Sequence, residues 1–565
     1  MKSEAESSFE LPIYYSPNKT KLSENIVTDL ELVSTVDLSL SSMYSIMLQP
    51  STCFGKEVLP KFAEHYTTDI PFLKDTQTFL TNYKTLTNKK ETHELMYNVW
   101  ADLKKETGFC EKYLYIDWEM GKFLNTHSSF LQVMSIYNIT SPIISFCLPL
   151  IILIVPLFVI KAKGLSISTS EYIAILKQIM EHHAIGKLFV GFDETTLSQK
   201  AYILCSTALY IFSIYQNVLI CLRVYKNIIK INDTLKQFKS YVSDSIEIFE
   251  SYLSQTSELT SYSEFNDKVQ HNCDHLINYR TQLENIGSLD FSWKNIFNIG
   301  DRMKFFYHLY DSKECNEVMQ FSFGMHGYLD NMSGLMNRLT NSHLHMASIS
   351  PRETTVFKEA YYPTLMNDST HVKNTCDFSK SIVLSGPNAS GKTTILKTSI
   401  LNIIFTQQFG CGCYQEATLV PYKYIHCYLN IPDTSGRDSL FQAEARRCKN
   451  IIDVIDSNPD ATHFCAFDEL YSGTNPEDAI ASSLAFMNYI SANKNVCSIL
   501  TTHYNKVCRK LGKNKHIKNY NMKTIKSENN TFSYTYQLVK GISDIKGGIK
   551  VLKELNYPVS ITDKI

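Results

Sequence analysis

The sequence predicts an α/β P-loop NTPase domain over residues 361–565, joined to a mostly α-helical core and lever region over residues 31–360 and preceded by a polar segment, residues 1–30. Three observations carry this. The loop Gly386-Pro387-Asn388-Ala389-Ser390-Gly391-Lys392-Thr393 separates a short apolar β-prone run, residues 381–384, from a helix-compatible run, residues 393–404. Further on, the buried-type strand Phe464-Cys465-Ala466-Phe467 ends in the acidic pair Asp468-Glu469. Before residue 360 the pattern is helical, with polar punctuation and few Gly or Pro clusters.

Strand, glycine loop and helix in that order suit a phosphate group, which needs several backbone N–H donors converging on it with a helix N-terminus behind. Gly386 and Gly391 permit the backbone path. Lys392 is placed to reach the β- and γ-phosphates of ATP, and the Thr393 hydroxyl to complete the coordination of Mg²⁺. Asp468 suits Mg²⁺ through water, and Glu469 suits polarisation of the attacking water as general base. The strand Val496-Cys497-Ser498-Ile499-Leu500 then delivers Thr501-Thr502-His503-Tyr504, where His503 is placed to sense the γ-phosphate. A lone histidine after a strand is otherwise a satisfied core or surface residue; its position after the acidic strand favours the functional reading.

Composition bounds the partners and compartment. At 565 residues and 44% hydrophobic content, the chain can build more than one core. Lys plus Arg number 55 against 56 Asp plus Glu, so no global field attracts polyanions, and nucleic-acid contact needs a local basic face. Fifteen cysteines without framework spacing, behind the polar start Met1 to Ser8, suit reduced thiols and no secretory signal. The cytosol or nucleus is the expected location, with membrane association as an alternative. Cys411-Gly412-Cys413 lacks a second ligand pair and reads as small buried residues, not a zinc site.

These residues resemble the MutS family, the mismatch-repair relatives of ABC-type ATPases. The Gly386-Pro387-Asn388 and Gly391-Lys392-Thr393-Thr394 runs, Asp468-Glu469-Leu470 with Ser472-Gly473-Thr474-Asn475, and Thr501-Thr502-His503-Tyr504 fit that family's motifs in order. Residues 433–444, Asp-Thr-Ser-Gly-Arg-Asp-Ser-Leu-Phe-Gln-Ala-Glu, resemble the loop that completes the partner subunit's nucleotide site, which implies a role in trans for Ser439. Tyr362-Pro363 and His371-Val372-Lys373-Asn374 resemble the entry and adenine-receiving segments, with His371 where an aromatic ring is usual. Tyr536-Gln537-Leu538 to Gly541, Gly547-Gly548 and Leu555-Asn556-Tyr557-Pro558 resemble the closing strand and helix. The resemblance implies an ABC/MutS-type ATPase fold, ATP and Mg²⁺ as cofactors, a homodimer or MutS-like heterodimer bridged by ATP, and a link to DNA in mismatch repair or recombination.

The first two thirds depart from that family's pattern. Pro50 to Lys56, followed by Val58-Leu59-Pro60, resembles the start of the family's helical core, leaving no room before it for a mismatch-reading domain of about a hundred residues. Phe62-Ala63-Glu64 matches the mismatch wedge only by coincidence, being inside this core-like segment. Residues 141–160 and 201–222 are uncharged runs flanked by Lys161, Lys163, Lys200 and Arg223, each long enough to span a bilayer. Pro142, Pro149 and Pro156 in the first, and Gln216 and Asn217 in the second, also fit buried core helices, so both readings stand. From the second run, Ile231, Leu235, Phe238, Val242, Ile246, Phe249 and Leu253 continue on one helix face, which predicts a lever-like helix over residues 201–253. The cluster Lys506, Arg509, Lys510, Lys513, Lys515, Lys518, Lys523 and Lys526 suits phosphate contact but reads better as a solvated strand face. Two functions follow: a DNA-coupled ATPase, or a membrane-associated mechanochemical ATPase without mismatch recognition.

Overall fold

A computed structural model describes residues 9–37, 39–84, 90–164, 168–182, 196–287, 289, 297–368, 370–429, 439–526, 532–545 and 557–558. The chain divides into two compact units. Unit 1 comprises residues 1–88, 248–273 and 320–565; unit 2 comprises residues 89–247 and 274–319. Residues 361–565 thus lie wholly within unit 1, together with the start of the chain.

Unit 2 is helical. It holds α1 (Ser128–Ala162), α2 (Thr169–His182) and α5 (Ile299–Asp311), and shares with unit 1 the helices α3 (Leu197–Thr256), α4 (Ser263–Ile286) and α6 (Lys313–Thr340). α3 is one helix of 60 residues, about 90 Å at 1.5 Å per residue, so the predicted continuity over 201–253 is present. Ile231, Leu235, Phe238, Val242, Ile246 and Phe249 are all buried, as the spacing requires. Trp100 stacks on Phe238 at 6.3 Å, and Lys104 donates to the carbonyls of Leu309 and Tyr310 at 2.7 Å, satisfying the C-terminal end of α5.

Most of the described side chains of the two uncharged runs are exposed. α1 runs uninterrupted through the positions of Pro142, Pro149 and Pro156. It pairs with the first half of α3: Tyr210 Oη donates to the Ser145 carbonyl at 2.5 Å, Asn217 Nδ2 to Ser145 Oγ at 2.7 Å, and Cys221 Sγ to the Ile139 carbonyl at 3.4 Å. The outward side chains stay exposed.

Unit 1 is built on a six-stranded sheet: β1 (Ser381–Ser385), β2 (Tyr424–Tyr428), β3 (His463–Asp468), β4 (Val496–Thr502), β5 (Ile517–Lys526) and β6 (Phe532–Lys540), in the order β6-β5-β1-β4-β3-β2. All neighbours are parallel except the edge pair β5-β6. β1 is buried at every position, as expected of a strand covered on both faces. A second, five-stranded sheet carries Val356–Ala360 and Asn374–Asp377. Helix α7 (Lys392–Phe409) packs against strands of both sheets and is buried along nearly its whole length, so its polar side chains, Gln407 and Gln408 among them, must find partners inside.

Two buried glutamines at the end of α7 tie residues 44–67 into this core. Gln407 donates to the carbonyls of Thr67 and Tyr422 and accepts from Tyr422 N–H. Gln408 donates to the carbonyls of Phe62 and His65 and accepts from Tyr44 Oη. Phe62, the wedge-like triplet's aromatic residue, is accordingly a core residue packed on Tyr44 and Phe409. Asp330 on α6 fastens the same region, accepting from Ser51 N–H and Thr52 N–H at 2.8 and 2.9 Å and from both hydroxyls.

α6 also meets this segment at Gly334, where an added Cβ would stand 1.7 Å from the Leu48 carbonyl oxygen. Gly334→Ala must push the backbones apart, with an expected loss of about 1–3 kcal/mol. Denaturant unfolding that matches the parent protein would show that the helices separate freely there.

Candidate functional site

The sheet order sets the site. β4 lies between β1 and β3, with Thr501 opposite both Leu384 and Asp468 and Thr502 opposite Ser385. The carboxyl ends of three parallel strands therefore deliver the Gly386–Thr393 loop, Asp468-Glu469 and Thr501–His503 to one edge, where ligands of open α/β sheets bind.

The loop turns directly into α7. Gly391 has φ +94°, and a Cβ there would lie 3.3 Å from Tyr536 Cδ1, so glycine answers both backbone and space. Ala389 takes a left-handed φ of 59°, as do Glu469 at 50° and Tyr471 at 59°. Such conformations cost energy in non-glycine residues and collect at functional sites. The first turn of α7 points its N–H groups toward the loop, a standing anion site.

Lys392 is 5% exposed. Its Nζ donates to the carbonyls of Gly386 and Pro387 at 3.0 and 3.2 Å and lies 3.6 Å from Glu469 Oε1. Burial pulls its ammonium below the usual lysine range, while Glu469 and Asp468 pull it back up. His503 Nδ1 also lies 3.6 Å from Glu469 Oε1. The imidazole holds the Glu469 carboxyl below its ordinary range against the effect of burial, and Lys392 adds to this. Glu469 is thus an ionised carboxylate clamped between two nitrogen groups.

Asp468 is gripped by two hydroxyls: Thr393 Oγ1 donates to Oδ2 at 2.8 Å, and Thr501 Oγ1 donates to Oδ1. A hydroxyl and a carboxylate side by side at the mouth of the loop form an all-oxygen donor pair that fits Mg²⁺. The Thr501 contact was not foreseen; strand pairing, invisible in the linear motif, creates it.

Beside these groups opens a cavity of about 800 Å³. Asn388, Ala389, Gly391, Lys392, Thr393 and Thr394 line one wall with Asp468 and Glu469, and Tyr361, Tyr362, His371 and Tyr536 line another. The His371 ring sits 4.7 Å from the Tyr361 ring, giving the second wall aromatic surface. Ser390 Oγ is turned inward, donating to the Pro387 carbonyl at 2.7 Å. Asn374 links the sheets, donating to the Tyr536 carbonyl and accepting from Leu538 N–H.

Ser439 lies at the N-cap of α8 (Leu440–Ser457), where its Oγ accepts from Gln442 N–H in a capping box. The preceding residues 433–438, like Gly547, Gly548, Leu555 and Asn556, lie outside the described residues. Glu444, quoted above only as the end of that segment, is 2% exposed and accepts from Ser472 N–H and Oγ and from Gly473 N–H. It anchors the loop that follows Glu469. In the basic cluster, Arg509 pairs with Asp544 and Lys518 with Asp377, while Lys506, Lys510, Lys513, Lys515 and Lys523 are exposed. Cys411 and Cys413 are buried, and among the described residues no group of three or more His, Cys, Asp or Glu could hold a metal.

A family model described as MutS domain V matches residues 382–565. The chain is similar to the Endonuclease MutS2 of Staphylococcus haemolyticus (strain JCSC1435), 25% identical over 248 residues, covering 42% of this chain and 30% of that protein. It is also similar to Endonuclease MutS2 of Staphylococcus aureus, 26% identical over 222 residues, covering 38% of this chain and 30% of that protein. With the same-named protein of strain MRSA252 the figures are 26% identity, 38% of this chain and 27% of the relative. The chain therefore spans less than a third of the length of the curated relatives it matches.

Proposed function

Because this chain belongs to the MutS family through its domain V, we propose that it binds and hydrolyses ATP at the Gly386–Thr393 loop and couples that cycle to DNA. The observation that carries the reading is the convergence of Lys392, Thr393, Asp468, Glu469 and His503 at one sheet edge beside a cavity of about 800 Å³. The loop and the first turn of α7 receive the phosphates, with Lys392 turning from its own carbonyls to the β- and γ-oxygens. Thr393 and Asp468 are the residues that would hold Mg²⁺, which neutralises phosphate charge when bound. Glu469 takes a proton from water as the water oxygen bonds the γ-phosphorus and the bond to the β-phosphate oxygen breaks; ADP and phosphate leave. His503 positions Glu469 and faces the developing phosphate. His371, Tyr361 and Tyr362 receive the base.

In this reading a second subunit, identical or MutS-like, completes the site, with Ser439 at the N-terminus of α8 directed at the partner's nucleotide. ATP then bridges subunits, and hydrolysis times their release. DNA coupling rests on the family and on the exposed lysines after Thr502. A titration of duplex and branched DNA over a salt series tests it, since phosphate contacts lose affinity steeply with salt. ATP turnover indifferent to every DNA added, with no salt-dependent binding, would remove the DNA link and leave the hydrolysis standing.

A further inference from the structure

We propose that α1 and the first half of α3 form a hairpin that crosses a lipid bilayer, with α2 on the far side. The inference rests on unit 2 and not on the nucleotide site. Both helices are long and apolar enough to cross a membrane; only 6% of the apolar window in Leu197–Thr256 is buried, and on α1 most of the described side chains of residues 141–160 are exposed. Ile143, Phe146 and Phe158 on α1 are 66%, 68% and 66% exposed, and Leu209, Ile211 and Phe212 on α3 are 63%, 61% and 56% exposed. Leaving such side chains in water over a contiguous surface marks an interaction site.

Lipid fits that surface better than a protein partner. Exposure extends around the outward sides of both helices, whereas a protein groove would cover one stripe. Several polar groups find partners within the helix pair, while Ser213 and Gln216 stay exposed: Tyr210 and Asn217 reach Ser145 across the pair, Ser141 Oγ donates to the Asn138 carbonyl, and Thr207 Oγ1 donates to the Ile203 carbonyl. In hydrocarbon every polar group needs such an internal partner. The uncharged lengths, residues 141–160 and 201–222, come to about 30–33 Å at 1.5 Å per residue, the thickness of a bilayer core.

The register places charge and aromatic rings at both borders. The Ser145–Tyr210 and Ile139–Cys221 contacts make the helices antiparallel. Lys161 and Lys163 at the end of α1 therefore come to the same border as Lys200 and Tyr202 at the start of α3. Arg223, Tyr225 and Lys226 come to the opposite border with Tyr137. Lysine, arginine and tyrosine are the residues that anchor spans at headgroup level. Because the hairpin crosses twice, residues before α1 and after the first half of α3 share one side.

The test is flotation of the full-length protein with phosphatidylcholine–phosphatidylserine vesicles, followed by alkaline carbonate washing and protease treatment of a cleavage site inserted after Gly164. The expected result is that the protein floats, resists carbonate, and is cut at the inserted site only after detergent opens the vesicles. The double variant Phe146→Lys, Phe212→Lys should lower vesicle partition at least tenfold while keeping the parent's thermal unfolding of unit 1. A protein that stays soluble and monodisperse without detergent overturns the proposal. So does a detergent-free dimer whose Phe146 and Phe212 positions crosslink between copies, which would make a second chain the occupant. A protein that floats but is cut in sealed vesicles lies on the surface and also overturns it.

Discussion

Lys392→Ala abolishes ATP binding at working concentrations. The parent side chain is buried, so its ammonium meets the phosphates in a site where removing one member of a hydrogen-bonded charge pair costs about 2–5 kcal/mol. At 1.4 kcal/mol per tenfold, affinity falls by about 30- to 4,000-fold. Calorimetric titration with ATP and Mg²⁺ reads this directly. The substitution also deprives the carbonyls of Gly386 and Pro387 of their donor, so thermal unfolding must be recorded alongside to separate lost contact from lost fold. ATP affinity equal to the parent's in a folded variant would remove Lys392 as a phosphate contact.

Glu469→Gln keeps ATP bound and stops its turnover. The amide has the shape of the carboxylate and its contacts to the Lys392 and His503 side, but it accepts no proton from water. Loss of a positioned general base lowers kcat by about 10²–10⁴-fold, whereas the dissociation constant for ATP should stay close to the parent's. Single-turnover hydrolysis with equilibrium binding on the same preparation separates the two, and parent-like turnover would remove Glu469 as the base. The pH dependence follows from the same contacts. The Glu469 pKa is depressed chiefly by His503, so the ionised base is present above that pKa and is lost only as pH falls through it. His503→Ala lifts the depression and moves the acid limb of kcat/KM to higher pH.

The elements that position the site were legible because they are local. A glycine loop between an apolar strand and a helix, an acidic pair at a strand end and a histidine after the next strand each announce themselves within about ten residues. What linear patterns do not show is pairing across the sheet. Thr501 reaches Asp468 only because β4 lies beside β3, and Glu444 reaches Ser472 and Gly473 only because α8 packs beneath their loop. Gln407, Gln408 and Asp330 would pass in the sequence for ordinary polar residues, yet each is buried and binds a segment distant in the chain. The apolar runs presented a different difficulty: periodicity cannot separate a spanning helix from a core helix. Exposure adds what periodicity lacks: Phe146 stands 68% exposed on its helix.

The stitches from Gln407 and Gln408 to residues 44–67 bear on how the protein is made. Synthesis delivers the first segment early, but its partners lie more than three hundred positions later. At about 5–20 residues per second, roughly 15–70 seconds separate the two. During that wait Tyr44 and Phe62 have each other but lack Gln408, Phe405 and Phe409, the rest of their native surroundings. For the same reason, cutting the chain at residue 361 strips the partners from residues 44–67 and reopens the same surface.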